Sequence, residues 1–141
     1  MHYYLNGYSV DLPAYWNGRV TVGEPDARST TLEARSKMYP SHTLCKAMVV
    51  PSRDRVTSGD IGSPNVRQLS LSDGRVVCAR AFNYSWIVTS GSGSMSEAEA
   101  AELIDLSTGG RTVADCVRAS RSGDDLVSAN WIAENVTIAA R

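Results

Sequence analysis

The sequence is poor in the residues that build metal centres. It has two histidines, His2 and His42, and three cysteines, Cys45, Cys78 and Cys116, with no C-x-x-C spacing. A structural zinc site needs four clustered ligands, which these positions do not supply. We therefore expect no metal site and no metal cofactor. Each cysteine has small or apolar neighbours, which predicts buried thiols in a reducing compartment.

Long apolar runs and an excess of one charge are also missing. No segment approaches the roughly 20 apolar residues that cross a bilayer, and the N-terminus lacks the basic and apolar regions of a signal peptide. The formal net charge is −1, and the twelve arginines are scattered along the chain. Nucleic-acid-binding domains concentrate basic residues on one face. These absences predict a cytoplasmic protein that binds neither membranes nor nucleic acid.

Nucleotide-binding and hydrolase motifs are absent as well. The chain contains no G-x-x-x-x-G-K-[ST], no G-x-G-x-x-G and no G-x-S-x-G, the loops whose geometry holds phosphates or a nucleophilic serine. A serine nucleophile needs a histidine base, and His42, beside Ser41, is the candidate. We assign no catalytic residue and no organic cofactor, and a hydrolase that uses His42 stays an alternative to a non-enzymatic protein.

The residues that are present indicate one globular domain over 1–141, because 43% of the chain is hydrophobic and 21% is charged. Short apolar runs bounded by glycine, proline and asparagine predict strands. They lie at 2–10, 19–22, 44–50, 66–82 and 84–89. We predict an α+β fold, a predominantly antiparallel β-sheet with one clear helix at about 95–107 packed on it.

Residues 66–82 have the pattern of a β-hairpin. The pair Asp73-Gly74 is typical of a type I′ turn, whose two central residues both have positive φ. This turn predicts three cross-strand pairs: Leu71 with Val76, Leu69 with Cys78, and Arg67 with Arg80.

The helix at 95–107 follows a glycine-serine turn, 90–94. Both Ser94-x-x-Glu97 and Ser96-x-x-Glu99 match the capping box, which satisfies the first backbone N–H groups of a helix internally. The turn therefore favours structural capping over phosphate binding. The spacing buries one face, Ala100, Leu103, Ile104 and Ser107, and leaves an acidic face solvated, Glu97, Glu99, Glu102 and Asp105.

Four segments have weaker patterns. Residues 30–38 are interpreted as one or two helical turns that Pro40 ends. Residues 112–119 fit a strand or a helix equally well. Residues 125–132 and 136–140 fit either a strand pair or a single terminal helix. Residues 51–65 have no periodicity, which predicts a long loop with a functional role or high mobility.

The functional hypothesis rests on the aromatic N-terminal segment. Tyrosine and tryptophan combine a large contact area with a polar group and are enriched at interfaces. We predict interface roles for Tyr3, Tyr4, Tyr8, Tyr15 and Trp16, although a core role and a ligand platform stay open. The protein is then a binding or assembly module that forms a homo-oligomer or binds another protein, such as a subunit of a virion or other particle.

A second hypothesis is a protein that binds a nucleotide or another small anionic ligand. Arginine offers a fork of donors to anionic groups, and serine hydroxyls can add hydrogen bonds. The predicted ligand-binding residues are Arg53 and Arg55 in the long loop, and Ser92 and Ser94 in the glycine-serine turn.

Overall fold

The computed structural model describes residues 1–50, 66–90, 93, 95–124 and 130–141. Within these ranges the chain forms eight strands and four α-helices, together with a 3-10 turn, Ala14–Trp16. The strands are β1 (His2–Tyr4), β2 (Tyr8–Asp11), β3 (Val20–Thr21), β4 (Thr31–Ser36), β5 (Thr43–Val50), β6 (Val66–Ser70), β7 (Val76–Ala81) and β8 (Thr137–Ala140). The helices are α1 (Trp86–Ser90), α2 (Glu97–Thr108), α3 (Val113–Arg121) and α4 (Asn130–Asn135).

The strands of the described residues form two antiparallel sheets. The larger sheet has the order β3-β4-β5-β7-β6, and the smaller one has the order β1-β2-β8. Both sheets and the helices contribute to one hydrophobic core, whose largest fully buried side chains include Tyr8, Trp16, Leu32, Leu103 and Ile132. The predicted α+β fold, dominated by antiparallel sheet, is confirmed.

Strand β4 replaces the helical turns that the sequence predicts at 30–38, so that prediction is wrong. Leu32, Ala34 and Ser36 are buried while Thr31 and Arg35 are exposed, which is the two-residue period of a strand. Pairing with β5 decides the outcome, because it satisfies the backbone of β4 and buries its small side chains together.

The β6–β7 hairpin is present, but its predicted register is wrong by one residue. Leu69 lies opposite Val77, and Arg67 lies opposite Ala79 rather than Arg80. The Leu71 N–H donates to the Arg75 carbonyl, and the Gly74 N–H donates to the Leu71 carbonyl. The loop therefore has three residues, of which Gly74 alone has positive φ (90°). This is the pattern of a type I turn with a bulge, which shifts one strand by a residue relative to a type I′ turn.

Residues 84–89 are predicted as a strand, and here too the structure differs, because α1 spans Trp86–Ser90. The Asn83 side-chain oxygen accepts a hydrogen bond from the Ser85 N–H at 2.7 Å, a local turn that redirects the chain. The Tyr84 hydroxyl donates to the Thr43 carbonyl at 2.5 Å. The chain therefore leaves the sheet after β7 and begins a helix. A helix, and not the predicted strand, precedes the glycine-serine turn and α2.

Helix α2 agrees with its prediction. The Ser96 hydroxyl oxygen accepts a hydrogen bond from the Glu99 N–H at 3.1 Å, and the helix ends at Gly109, whose φ of 72° is left-handed. The predicted inner face is buried: Ala100, Leu103, Ile104 and Ser107. The Ser94 capping pattern lies outside the described residues.

The C-terminal third matches its predictions in part. Residues 112–119, left between strand and helix, form α3, which begins with a full capping box of Thr112 and Asp115. The end of the chain fits neither alternative, because α4 is followed by β8, and β8 pairs with β2 rather than with a neighbouring segment. Residues 125–129 and the predicted loop 51–65 lie outside the described residues.

Two further predictions concern burial and membranes. Cys45, Cys78 and Cys116 are all buried, as expected. Burial raises the pKa of the Cys45 thiol to about 12, so it stays protonated at neutral pH. In the ranges that the structure describes, no helix has the length and hydropathy required to cross a bilayer.

Candidate functional site

The five aromatic residues of the predicted interface occupy different layers of the fold. Tyr8 and Trp16 are fully buried in the core, and Tyr3 is partly buried against it. Tyr4 is 58% exposed and Tyr15 is 40% exposed. A fully buried side chain is not available to a partner, which excludes Tyr8 and Trp16. The predicted interface role stays open for the accessible part of Tyr3 and for the exposed Tyr4 and Tyr15.

Tyr4 belongs to β1, an edge strand of the smaller sheet. Leu12 donates its N–H to the Met1 carbonyl, and Leu5 donates its N–H to the Tyr8 carbonyl, each at 2.8 Å. Odd-numbered residues of β1 therefore bond to β2, and alternation directs the backbone groups of His2 and Tyr4 toward the other edge, which pairs with no strand among the described residues and is called the open edge. The open stretch ends after Tyr4, because the next outward N–H, that of Asn6, donates to Ser29.

The Tyr4 ring is held on both sides although it is exposed. The His2 ring meets it edge-on, with ring centroids 4.7 Å apart, and the Arg141 guanidinium carbon lies 5.1 Å from its centroid. Arg141 is itself fixed, because its guanidinium donates to the Leu5 carbonyl at 2.9 Å and its backbone N–H donates to Gly7 at 3.1 Å. Arg141 was not among the predicted site residues, because it is distant from Tyr4 along the chain and no local sequence pattern connects the two.

Tyr15 belongs to a polar network on α2. Its hydroxyl donates to the Asp105 carboxylate. Arg19 donates through Nη2 to Glu102 Oε1 at 2.7 Å and to Asp105 Oδ2 at 2.8 Å. The hydrogen bond to Asp105 raises the pKa of the Tyr15 phenol. Partial burial lowers the pKa of Arg19, but its bonds to the two carboxylates outweigh that effect, so Arg19 stays charged.

This network changes the interpretation of the acidic face of α2, which the sequence predicts as solvated. Glu102 and Asp105 bind Arg19, and Glu99 accepts from the His42 ring, while Glu97 is exposed as expected. The i, i+3 spacing of Glu102 and Asp105 places both carboxylates on one helix face. Two carboxylates at that spacing are a sequence signal for an arginine partner, although the predictions above did not include one.

A cleft of about 630 Å³ opens beside Tyr15, between α2 and the start of α3. Its apolar lining residues are Ile87, Ala100, Ala101 and Val113, and its other lining residues are Tyr15, Glu97, Asp105, Gly110, Arg111 and Thr112. Two alanines on the wall of α2 leave the space that larger side chains would fill. This volume and this mixture of lining residues are typical of small-molecule sites.

His42, the candidate base of the hydrolase alternative, pairs with Glu99. His42 Nε2 lies 2.9 Å from Glu99 Oε1, and both side chains are half-buried. The Tyr84 ring meets the imidazole edge-on at 6.0 Å, and neighbouring Ser41 is exposed. Within the described ranges, the side-chain hydrogen bond of the imidazole is to this carboxylate and not to a serine or threonine hydroxyl. This arrangement favours a structural role for His42, in which its pairing with Glu99 links the start of β5 to α2, over a catalytic role.

The residues of the predicted anion site, Arg53, Arg55, Ser92 and Ser94, lie outside the described residues. Among the described side chains, no three histidine, cysteine, aspartate or glutamate residues form a group that could hold a metal ion.

Comparison with protein-family models, curated proteins and solved structures gave no match to this chain. The proposals that follow therefore rest on the geometry of β1 and of the cleft.

Proposed function

We propose that this protein is a non-enzymatic binding and assembly module that self-associates through the open edge of β1. The observation that supports this proposal is the coincidence, at His2 and Tyr4, of outward backbone groups with exposed aromatic rings that neighbouring side chains hold in place. An open strand edge is a template for pairing with another chain. A fixed aromatic ring loses little conformational entropy when it binds.

A second copy of the chain fits this edge by symmetry. A two-fold axis at Tyr3 would pair His2 of one copy with Tyr4 of the other in an antiparallel ladder. Both outward residues then form hydrogen-bonded pairs, and the smaller sheets join into one six-stranded sheet. The His2 and Tyr4 rings would lie directly opposite one another on the same face. Aromatic cross-strand pairs of this kind contribute roughly 0.2–1 kcal/mol each.

More broadly, we propose that the protein is a subunit of a particle, such as a virion, that assembles in the cytoplasm. A closed particle requires further contacts besides β1. Tyr15, which lies within the 3-10 turn Ala14–Trp16, is the second exposed aromatic residue of the predicted interface. The β1 contact is the step that can be tested first.

Sedimentation equilibrium over a range of protein concentrations tests the β1 contact. We expect wild-type protein to form a dimer, and Tyr4→Lys to weaken the association by about ten-fold or more, because an edge lysine opposes strand pairing. Met38→Lys is the matched control, since Met38 is 65% exposed in the turn between β4 and β5. A monomer at every concentration, or equal effects of the two variants, would contradict the proposal.

Amide hydrogen exchange gives a second measurement on the same samples. Because the N–H groups of His2 and Tyr4 point to the open edge, we expect their exchange to slow as concentration rises. Exchange at Val10, which is buried in the central strand β2, should not change. Dimerisation without slower exchange at His2 and Tyr4 would show that another surface carries the contact.

A further inference from the structure

No residue of β1 lines the cleft between α2 and the start of α3, so a ligand in this cleft is independent of the β1 contact. We propose that the cleft binds a small organic cation, an amine whose apolar body lies against the two alanines of α2 and whose ammonium group contacts Asp105. Three features of the cleft favour such a ligand: its shape, the charge of its wall and the remaining hydrogen-bonding capacity of Asp105.

The shape of the cleft determines the size and polarity of the apolar part of the ligand. Its volume of about 630 Å³ lies within the range of roughly 300–1,000 Å³ that is typical of small-molecule sites. Of the apolar lining residues, Ile87 is buried, and Ala101 is exposed on α2. An aromatic or branched aliphatic group placed there would cover apolar surface that now faces water, which is favourable in proportion to the area covered.

The charge of the wall selects the sign of the ligand. Arg19 lies between Glu102 and Asp105, so this network of one guanidinium and two carboxylates keeps one negative charge. At the rim, the negative charge of Glu97 is matched by the positive charge of Arg111. The five groups therefore sum to −1, which a single ammonium group would neutralise.

Asp105 is the group best placed to receive the ammonium. A carboxylate has about four lone-pair sites, and Asp105 uses one oxygen for the Tyr15 hydroxyl and the other for Arg19. These two donors fix the carboxylate without exhausting its acceptor capacity. Asp105 is half-buried, with 31% of its side chain exposed, so water screens its charge less than that of the exposed Glu97.

Three ligands that share an indole body test the proposal: tryptamine, tryptophol and indole-3-propanoate. They carry an ammonium, a neutral hydroxyl and a carboxylate on side chains of similar length. Binding is measured by NMR titration of the full chain at low ionic strength. We expect tryptamine to bind at least about ten-fold more tightly than the other two, which corresponds to about 1.4 kcal/mol. Absence of tryptamine binding, or binding of the alcohol or the acid with equal or higher affinity, would overturn the proposal.

A pair of alanine variants locates the site. Ala101→Leu fills the cleft, whereas Ala98→Leu adds the same side chain to an exposed position of α2 that does not line it. Leucine is a good helix former, so neither change should unfold the protein, which thermal unfolding verifies. We expect Ala101→Leu to weaken tryptamine binding at least about ten-fold and Ala98→Leu to leave it unchanged. Equal affinities of the two variants would show that tryptamine binds elsewhere.

Discussion

The Trp16 indole N–H donates a hydrogen bond to the Leu106 carbonyl oxygen at 2.8 Å, and both residues are fully buried. Leu106 lies in the last turn of α2, where carbonyl groups have no partner within the helix. The 3-10 turn near the N-terminus therefore supplies the donor that the end of α2 requires. This bond explains why Trp16 is a core residue rather than part of an accessible interface.

Replacing Trp16 tests this contact. We expect Trp16→Phe to lower the free energy of unfolding by about 2–4 kcal/mol, because the Leu106 carbonyl is left buried without its donor and the smaller ring leaves a cavity. Urea denaturation gives the value. Trp86→Phe is the control, since Trp86 is 41% exposed, and it should change stability by less than about 0.5 kcal/mol. Similar losses in both variants would contradict the assignment.

Gly109 closes α2 beneath an aromatic ring. Its φ of 72° is unfavourable for other residues, and a Cβ there would overlap the Trp131 indole ring. Gly123 also has positive φ (85°), but a Cβ there would meet no atom within 4 Å. We expect Gly123→Ala to cost about 1–2 kcal/mol from the backbone alone, and Gly109→Ala to cost clearly more, as measured by thermal unfolding. Equal losses would show that Trp131 moves aside without cost.

Arg19 and Arg35 offer a comparison of two ion pairs. Arg19 is 29% exposed and binds two carboxylates, whereas Arg35 is 47% exposed and pairs with Glu33 at 3.0 Å. Removing Arg19 leaves Glu102 and Asp105 close together without a cation, so we expect Arg19→Ala to destabilise the protein by about 1–3 kcal/mol. Arg35→Ala should cost less than about 1 kcal/mol. Denaturant titrations of both variants at the same salt concentration show which of the two loses more stability.

The buried phenols of Tyr8 and Tyr84 predict how the stability of the protein changes at alkaline pH. Burial raises the pKa of Tyr8 and of Tyr84 from the ordinary 10.0 to about 12. The unfolded chain loses these protons at lower pH than the folded chain. Their contribution to stability is therefore complete below about pH 10 and decreases as the pH rises toward about 12.

The dependence of the urea midpoint on pH measures this effect. Tyr84→Phe also removes a hydrogen bond, so the slope between about pH 10 and 12 is compared rather than the absolute stability. We expect a shallower slope in Tyr84→Phe than in wild type. An unchanged slope in Tyr84→Phe would contradict the prediction.

Local patterns predicted the elements whose signals lie within a few residues. The core strand β5 follows from an apolar run that Pro51 ends, and α2 follows from Ser96 at its start and Gly109 at its end. The hairpin was recognised, but its register depends on whether the turn residues adopt one or two positive φ values. Asp73-Gly74 is compatible with both.

Elements that depend on distant partners could not be predicted in the same way. Residues 31–36 become a strand because β5 lies beside them, and β8 finds its partner in β2, at the other end of the chain. The same limit applies to the candidate sites. In β1, adjacent Tyr3 and Tyr4 must face opposite sides of the sheet, but the sequence does not indicate which one faces the core. Likewise, only the fold brings Arg19 to Glu102 and Asp105.

The pairing of β2 with both β1 and β8 has a consequence for the order of folding. Strands β3 to β7 are contiguous along the chain, so the larger sheet can form from one stretch of sequence. The smaller sheet joins residues 8–11 to residues 137–140. Because these residues are far apart along the chain, closing the loop between them has a high entropic cost. During synthesis on a ribosome, the edge of β2 that pairs with β8 therefore stays unpaired until β8 emerges. In that interval β2 exposes a second open edge, when the nascent chain is most vulnerable to pairing with the wrong strand.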